Sequence, residues 1–258
     1  MFFQQIEYLK FLLKSTNQHG VHSPFIFKFV TAGLYKKKSK KDWNSFRNIK
    51  NQLLKNKKTI EITDFGSGSK VFKNNNRQIS KIAKIAGISN KKAKLLIKIV
   101  NYFIPITILE IGTSLGLGTS AMHIGHQDAK IRTLEGCAET SKIAKELFQN
   151  NHFKNIELIT GNFQKTLPAA IQNKQFDLIY FDGNHTKKAT LSYFKTCLTS
   201  IHNNSIFIFD DIYWSEEMTS AWNEIKKHPK VRVTVDVFYF GIVFFRKEQE
   251  KEHFKIRV

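Results

Sequence analysis

The stretch from Thr107 to Thr119 reads Thr-Ile-Leu-Glu-Ile-Gly-Thr-Ser-Leu-Gly-Leu-Gly-Thr, and it decides the fold. A short apolar, β-branched run leads into a loop that carries Gly112, Gly116 and Gly118, and a helical pattern follows the loop. This order predicts a strand, a glycine turn and a helix. In such a turn, bare backbone and the N–H groups of the helix N-terminus face a ligand.

The spacing of these glycines separates the loop from the common phosphate-binding loops. The pattern is G-x-x-x-G-x-G, whereas a dinucleotide loop has G-x-G-x-x-G and a P-loop ends in Gly-Lys-Ser/Thr. Glu110 lies just before the first glycine, where its carboxylate would repel a pyrophosphate and attract a cation. The loop therefore favours a cationic nucleoside without phosphate groups.

Acidic side chains also follow the later predicted strands. Strand-like and helical segments alternate through residues 130–227, which predicts βαβ units and a parallel sheet. The ligand crevice of such a sheet lies beyond the carboxyl ends of its strands. In a chain with 41 basic and 21 acidic residues, acids at the ends of four strands predict a site for positive charge. These acids are Glu110, Glu135, Asp182, Asp210 and Asp211.

The region from about Lys98 to Phe245 resembles the class I S-adenosylmethionine-dependent methyltransferases. The resemblance rests on the acidic-glycine motif Glu110–Gly118 and on several later elements in the same order. It implies a Rossmann-like three-layer α/β sandwich with a mostly parallel seven-stranded sheet and an antiparallel C-terminal strand. The apolar runs Val231–Val235 and Val237–Phe245 agree with this, because no crossover helix fits between them and they must run antiparallel.

The resemblance also implies a division of the chain and a set of cofactor contacts. Residues 1–97 are expected to form a mainly helical N-terminal extension, and residues 98–258 the domain that binds S-adenosylmethionine. The glycine loop would hold the methionine part of the cofactor, Glu135 the ribose hydroxyls, and Asn162 and Phe163 the adenine. The predicted cofactor-binding residues are Glu110, Gly112, Thr113, Ser114, Gly116, Gly118, Glu135, Gly136, Asn162, Phe163 and Asp182.

Methyl transfer needs an aligned nucleophile and a group that takes its proton. His185, three residues after Asp182, is the predicted general base because an imidazole titrates near neutral pH, although it could instead orient Asp182. Asp182 and Asp210 are the other predicted catalytic residues. Asp182, Asp210 and Asp211 are also a candidate ligand set for Mg²⁺. The alternative is that these acids only face the sulfonium and cap helices.

The motifs Phe181–His185 and Asp210–Trp214 look most like those of the small-molecule O-methyltransferase branch. The predicted function is therefore methyl transfer to a hydroxyl of a small-molecule acceptor, with Asp211 and Trp214 on the acceptor side. Trp222 follows Trp214 by about two helical turns and is expected in the core. The whole chain also resembles a group of methyltransferases from Bacteroidetes-type bacteria, through the segments His19–Phe25, Asp64–Ser69 and Trp214–Trp222.

The net charge of +20 raises the alternative of an RNA or protein methyltransferase. Only six of the 41 basic residues are arginine, the residue that recognises bases and phosphates in a planar, two-pronged manner. Nucleic acid is therefore not the favoured partner, although Tyr35–Lys41 is a true basic run. A non-catalytic cofactor-binding protein of the same fold is a second alternative.

The remaining features concern the location of the protein, its cysteines and its histidine pair. Glu7 and Lys10 interrupt the opening segment before a signal-like apolar core forms, and no stretch approaches a membrane span. Cys137 and Cys197 have no metal or redox spacing, so free thiols and a cytoplasmic location without a membrane partner are expected. A homodimer is left open. His19 and His22 form either a metal pair or a structural pair before Pro24.

Overall fold

The computed structural model of the protein describes residues 2–37, 39–63 and 74–258. Lys38 of the predicted basic run and the predicted Asp64–Ser69 turn lie outside the described residues. The chain divides into two compact units. The terminal unit comprises Met1–Lys36 and Ile171–Val258, and the central unit comprises Lys37–Ala170.

The first part of the central unit is mainly helical. Ser39 and Ser89 begin two of its helices, because their side chains accept hydrogen bonds from the N–H groups of Asp42 and Lys92. A small antiparallel strand pair lies between the first two helices. The elements are α3 (Lys40–Lys55), β1 (Thr59–Glu61), β2 (Asn76–Gln78), α4 (Ile79–Ile85) and α5 (Asn90–Phe103).

The second part of the central unit has the predicted alternation of strands and helices. Its three strands are parallel, and the register pairs Glu110 with Thr133 and Glu135 with Thr160. The strand before the glycine loop is buried from Ile108 to Ile111. The elements are β3 (Thr107–Ile111), α6 (Leu117–Gly125), β4 (Lys130–Glu135), α7 (Ala138–Asn150), β5 (Ile156–Thr160) and α8 (Phe163–Ile171).

The terminal unit begins with two helices and a π-helical turn over Phe29–Leu34. Pro24 opens the second helix, and Ser23 caps it by accepting the Ile26 N–H. The elements are α1 (Phe2–Lys14), α2 (Pro24–Lys28), β6 (Leu178–Phe181), α9 (Lys187–Cys197), β7 (Ile206–Asp210), α10 (Glu216–Lys227), β8 (Val233–Asp236), β9 (Phe240–Phe244) and β10 (Glu252–Lys255).

The strands of the terminal unit run in the order β10-β8-β9-β7-β6. β9 is antiparallel to both β7 and β8, which confirms the predicted antiparallel strand of a mostly parallel sheet. β9 begins only at Phe240, because Phe238 has a φ of 67° and the Val237 N–H donates to the Phe240 carbonyl within a tight turn.

The predicted number of seven strands is wrong for this α/β sheet. Within the described residues, the α/β part of the chain has three strands in the central unit and five in the terminal unit, which is eight strands. The strand that the sequence does not reveal is β10, which pairs in parallel with β8. Its Glu-His-Phe-Lys sequence has no apolar alternation, so only pairing with a neighbouring strand defines it. Across the described segments, every helix falls short of the length and apolarity that a bilayer crossing requires.

Candidate active site

The glycine loop of the central unit is a tight turn bonded to the neighbouring strand. The N–H groups of Gly112 and Thr113 donate to the Leu134 carbonyl at 2.9 and 3.1 Å. Gly112 and Gly116 have φ values of 105° and 85°, which favour glycine. A Cβ atom on Gly116 would also lie 2.6 Å from the Phe148 ring. The positions of Gly112 and Gly116 therefore follow from backbone geometry, and that of Gly116 also from close packing.

The buried carboxylate of Glu110 holds this turn in place. Its side chain is 0 % exposed, and its Oε2 atom accepts hydrogen bonds from the hydroxyls of Thr119 and Thr133, the latter at 2.6 Å. The Thr133 hydroxyl in turn lies 2.5 Å from that of Thr113. One buried carboxylate thus joins β3, the first turn of α6 and β4. A direct contact between Glu110 and the cofactor stays a prediction.

The Glu135 carboxylate holds the backbone of the same loop. Its Oε2 accepts the Ser114 N–H at 2.6 Å, and its Oε1 accepts the Cys137 N–H at 2.9 Å. Burial raises the pKa of the Glu135 carboxyl, and these backbone hydrogen bonds partly oppose the rise. The Gly161 N–H donates to the Glu135 carbonyl at 2.8 Å. Glu135 therefore links the loops that follow all three strands of the central unit.

The remaining predicted cofactor residues of the central unit lie at helix starts. Gly118 is buried in the first turn of α6, and Gly136 is half-buried between β4 and α7. Asn162 is exposed, and its Oδ1 accepts the Gln164 N–H at 2.9 Å at the start of α8. Phe163 is the half-buried first residue of that helix. The adenine contact predicted for Asn162 and Phe163 stays a prediction.

The terminal unit carries the predicted acid–base pair just after β6. The Nε2 atom of His185 lies 3.5 Å from Oδ1 of Asp182, and the Tyr180 hydroxyl lies 3.4 Å from Oδ2 of the same carboxylate. Burial alone would lower the pKa of His185. The hydrogen bond and charge of Asp182, with smaller contributions from Asp211 and Asp210, outweigh burial and raise it. The four predicted residues are thus electrostatically coupled.

The predicted acceptor-side residues follow β7. Asp210 is the last residue of that strand and is 4 % exposed, and Asp211 has a left-handed φ of 53°. The Trp214 N–H donates to the Asp211 carbonyl at 2.8 Å, which closes the turn and leaves the indole half-buried. Trp222 is 2 % exposed, which confirms that it is a core residue. A Cβ atom on Gly241 would lie 2.7 Å from its ring.

The candidate metal ligands do not form a metal site in the part of the chain that the structure describes. There, no group of three or more His, Cys, Asp or Glu side chains is arranged to hold a metal ion. Asp182 is instead turned to His185 and Tyr180. Of the candidate histidine pair, His19 lies 3.1 Å from the Gln18 amide, and His22 is exposed.

Several residues that support the site are not predicted from the sequence. Thr119, Thr133 and Tyr180 hold Glu110 and Asp182 through their hydroxyls. The only sequence signal for Thr133 is a hydroxyl inside a predicted strand. In the terminal unit, the buried Tyr213 hydroxyl donates to Asp236 and accepts from Lys255 at 2.9 Å. This network ties the turn after β7 to β8 and β10.

Comparisons with known proteins agree with this architecture. Residues 109–212 match the sequence model of a family described as a methyltransferase domain. No curated protein matches the chain.

Among solved structures, the chain is similar to methyltransferase PaMTH1 of Podospora anserina bound to S-adenosylhomocysteine. The identity is 21%, the TM-score is 0.56, and the match covers 62% of this chain and 80% of that one. The O-methyltransferase of Bacillus cereus in complex with S-adenosylhomocysteine is 21% identical, with a TM-score of 0.52 and coverages of 61% and 82%. Cofactor-bound Rv0187 from MTB is 15% identical, with a TM-score of 0.56 and coverages of 88% and 99%.

The solved structures show the fold, and residues 109–212 match the family described as a methyltransferase domain. The fold is the α/β Rossmann-like fold of methyltransferases, with a mostly parallel sheet and one antiparallel strand. The domain match and this fold together support an S-adenosylmethionine-dependent methyltransferase.

Proposed function

We propose that the protein transfers a methyl group from S-adenosylmethionine to a hydroxyl of a small-molecule acceptor. The observation that carries the proposal is Glu135, which holds the glycine loop through the Ser114 and Cys137 N–H groups. Thr140 and Gly136 also form hydrogen bonds to this carboxyl, so donors from the glycine loop and from the start of α7 converge on it. In the proposal, the two ribose hydroxyls bind at the same carboxylate through charge-assisted hydrogen bonds.

The donor set of the central unit fits this cofactor better than a dinucleotide. Glu110 and Glu135 carry negative charge under and beside the loop, and neither lysine nor arginine occurs between Thr107 and Lys130. A sulfonium is attracted by such a field, whereas a pyrophosphate is repelled. Bound S-adenosylmethionine would supply an already activated methyl group, so the protein has to align the acceptor and remove its proton.

We propose His185 as the group that takes this proton. Asp182 faces its Nε2 atom, so Nδ1 is the nitrogen that would receive the acceptor hydroxyl proton. The acceptor oxygen then forms a bond to the methyl carbon, and the electron pair of the breaking C–S bond stays on sulfur. The charges of Asp182, Asp210 and Asp211 stabilise the imidazolium that results. Asp211 and Trp214 are the proposed acceptor-side residues.

The proposed mechanism has no step through a metal ion. A hard divalent cation needs several oxygen ligands converging on one point. The described residues contain no such group of three, and Asp182 is engaged by His185.

The test begins with the cofactor and then turns to the acceptor. We expect calorimetry to show binding of S-adenosylmethionine and S-adenosylhomocysteine, and no binding of NAD. Incubation with methyl-labelled S-adenosylmethionine and a panel of phenols, catechols and aliphatic alcohols should transfer label to a hydroxyl. His185→Gln should lose most of that transfer while keeping cofactor affinity.

Other outcomes would overturn the proposal. Transfer of label to RNA or protein, with none to the panel, would establish the macromolecular alternative. Cofactor binding without transfer to any of the three acceptor classes would indicate the non-catalytic alternative.

Membership of the Bacteroidetes-type group, the division near residue 98 and a homodimer stay predictions.

A further inference from the structure

The positive charge of the chain is concentrated in one segment. The described residues 39–63 and 74–98 contain 14 basic and 2 acidic side chains, whereas residues 99–258 contain 19 basic and 17 acidic side chains. A general preference for lysine would act on the whole chain alike. The charge of this basic segment is therefore a local property, and residues 99–258 serve as an internal control.

The longest helix of the basic segment presents its charge on one face. Phe46, Ile49 and Leu53 of α3 are buried. The opposite face consists of exposed basic and amide side chains at helical spacing, namely Lys40, Asn44, Arg47, Asn51 and Lys55. At 1.5 Å per residue this face is about 22 Å long.

Two contacts join α3 to the helices that follow it. The Lys94 ammonium of α5 lies 4.3 Å from the centre of the Trp43 ring on α3. The Lys50 ammonium donates to the Ile88 carbonyl at 2.8 Å, between α4 and α5. Further exposed lysines belong to the same group of elements, namely Lys41, Lys57, Lys58, Lys81, Lys84 and Lys91. The charge thus lies on a folded body rather than on a tail.

We propose that this basic segment binds the phosphate backbone of a nucleic acid without reading its sequence. Twelve of the 14 basic residues are lysines, which neutralise phosphates as point charges, and only Arg47 and Arg77 could recognise a base edge in two-pronged fashion. Exposed amides such as Asn44 and Asn51 add hydrogen bonds to phosphate oxygens. The shortage of arginine thus argues against sequence specificity and not against binding.

Two other polyanions fit these observations less well. Binding to an anionic membrane usually adds apolar side chains that enter the bilayer. Ile85, 46 % exposed, is the one large apolar side chain exposed within the described part of the segment. An acidic peptide would match a short patch, whereas this charge extends over three helices.

The test measures binding of the protein to fluorescein-labelled RNA and DNA duplexes of equal length by fluorescence anisotropy, without cofactor. Its outcome is therefore independent of the proposed enzyme activity. The variant Lys40→Gln/Arg47→Gln/Lys55→Gln removes three charges from α3. Its matched control, Lys130→Gln/Lys154→Gln/Lys195→Gln, removes three exposed charges outside the basic segment. A second variant, Lys57→Gln/Lys81→Gln/Lys84→Gln, avoids α3 in case the first fails to fold.

We expect the wild type to bind both duplexes with similar affinity that falls steeply with salt. Each segment variant should lose about tenfold in affinity. The slope of log affinity against log salt concentration should become shallower by about one for each phosphate contact removed. The control should change less than about twofold. An equal loss in the control, no binding at low salt, or a strong preference for one sequence would overturn the proposal. Binding only to phosphatidylserine vesicles or only to polyglutamate would overturn it as well.

Discussion

The carboxylate of Glu135 allows the most direct test of the cofactor site. Glu135→Gln is nearly isosteric, but each carboxylate oxygen accepts a backbone N–H, at 2.6 Å from Ser114 and 2.9 Å from Cys137. The amide of glutamine must turn its NH₂ group toward one of these donors. The variant therefore loses one charge-assisted hydrogen bond and leaves one N–H without an acceptor.

The expected magnitude follows from these contacts. A hydrogen bond to a charged group contributes about 1.5–3 kcal/mol. Removing the charge also removes the desolvation that raises the pKa of Glu135, so the net loss of stability should be only about 1–2 kcal/mol. Loss of one charged acceptor for the ribose diol should weaken cofactor binding by about 2 kcal/mol, which is roughly 30-fold. Glu135→Ala should lose at least as much.

Titration calorimetry with S-adenosylhomocysteine measures the affinity, and thermal unfolding measures the stability. Glu139→Gln is the matched control, because Glu139 lies in the first turn of α7 and pairs with Lys142 in an exposed i,i+3 contact. Such pairs contribute little, so affinity and stability should stay close to those of the wild type. Unchanged affinity in both folded Glu135 variants would remove Glu135 from the cofactor site. An equal loss of cofactor affinity in the Glu139→Gln control would show that the effect comes from the overall charge of the protein and not from Glu135.

Four further predictions concern the terminal unit. Because the pKa of His185 is raised, the acidic limb of the pH–rate profile, along which kcat increases with pH, should lie above pH 6.5. The Asp182→Asn variant should move this limb to lower pH. A limb that stays in place in that variant would exclude His185 as the base. By the same linkage, the stability from the protonated imidazole is present below 6.5 and is lost as pH rises through the folded pKa of His185. Trp222→Ala should lower the free energy of unfolding, measured by chemical denaturation, by about 3–5 kcal/mol. Trp214→Ala should lower turnover with little change in melting temperature. If both variants lose the same stability, Trp214 is a packing residue. Treatment with a chelator should leave turnover unchanged, and a loss that Mg²⁺ restores would return the carboxylates to a metal role.

The sequence was sufficient for the features that depend on local chemistry. The run into Gly112 predicts the strand and turn, because an apolar β-branched run followed by glycines at positive φ has few alternatives. The helix from Glu216 to Lys227 lies at the end of the predicted alternation; it begins where Ser215 caps it and ends where His228 is extended. The antiparallel pairing of β8 and β9 follows from chain connectivity alone.

Tertiary structure decided what the charged groups do. The sequence places Glu110 near a ligand, but only the meeting of Thr119 and Thr133 around it makes it a buried anchor of the turn. It offers three aspartates as a candidate metal set, whereas local contacts with Tyr180 and His185, two and three residues away, engage Asp182 instead. Hydrogen bonds between residues far apart in the chain have no periodic signature, because they depend on which strand ends the sheet brings together. For the same reason, β10 becomes a strand only through its pairing with β8.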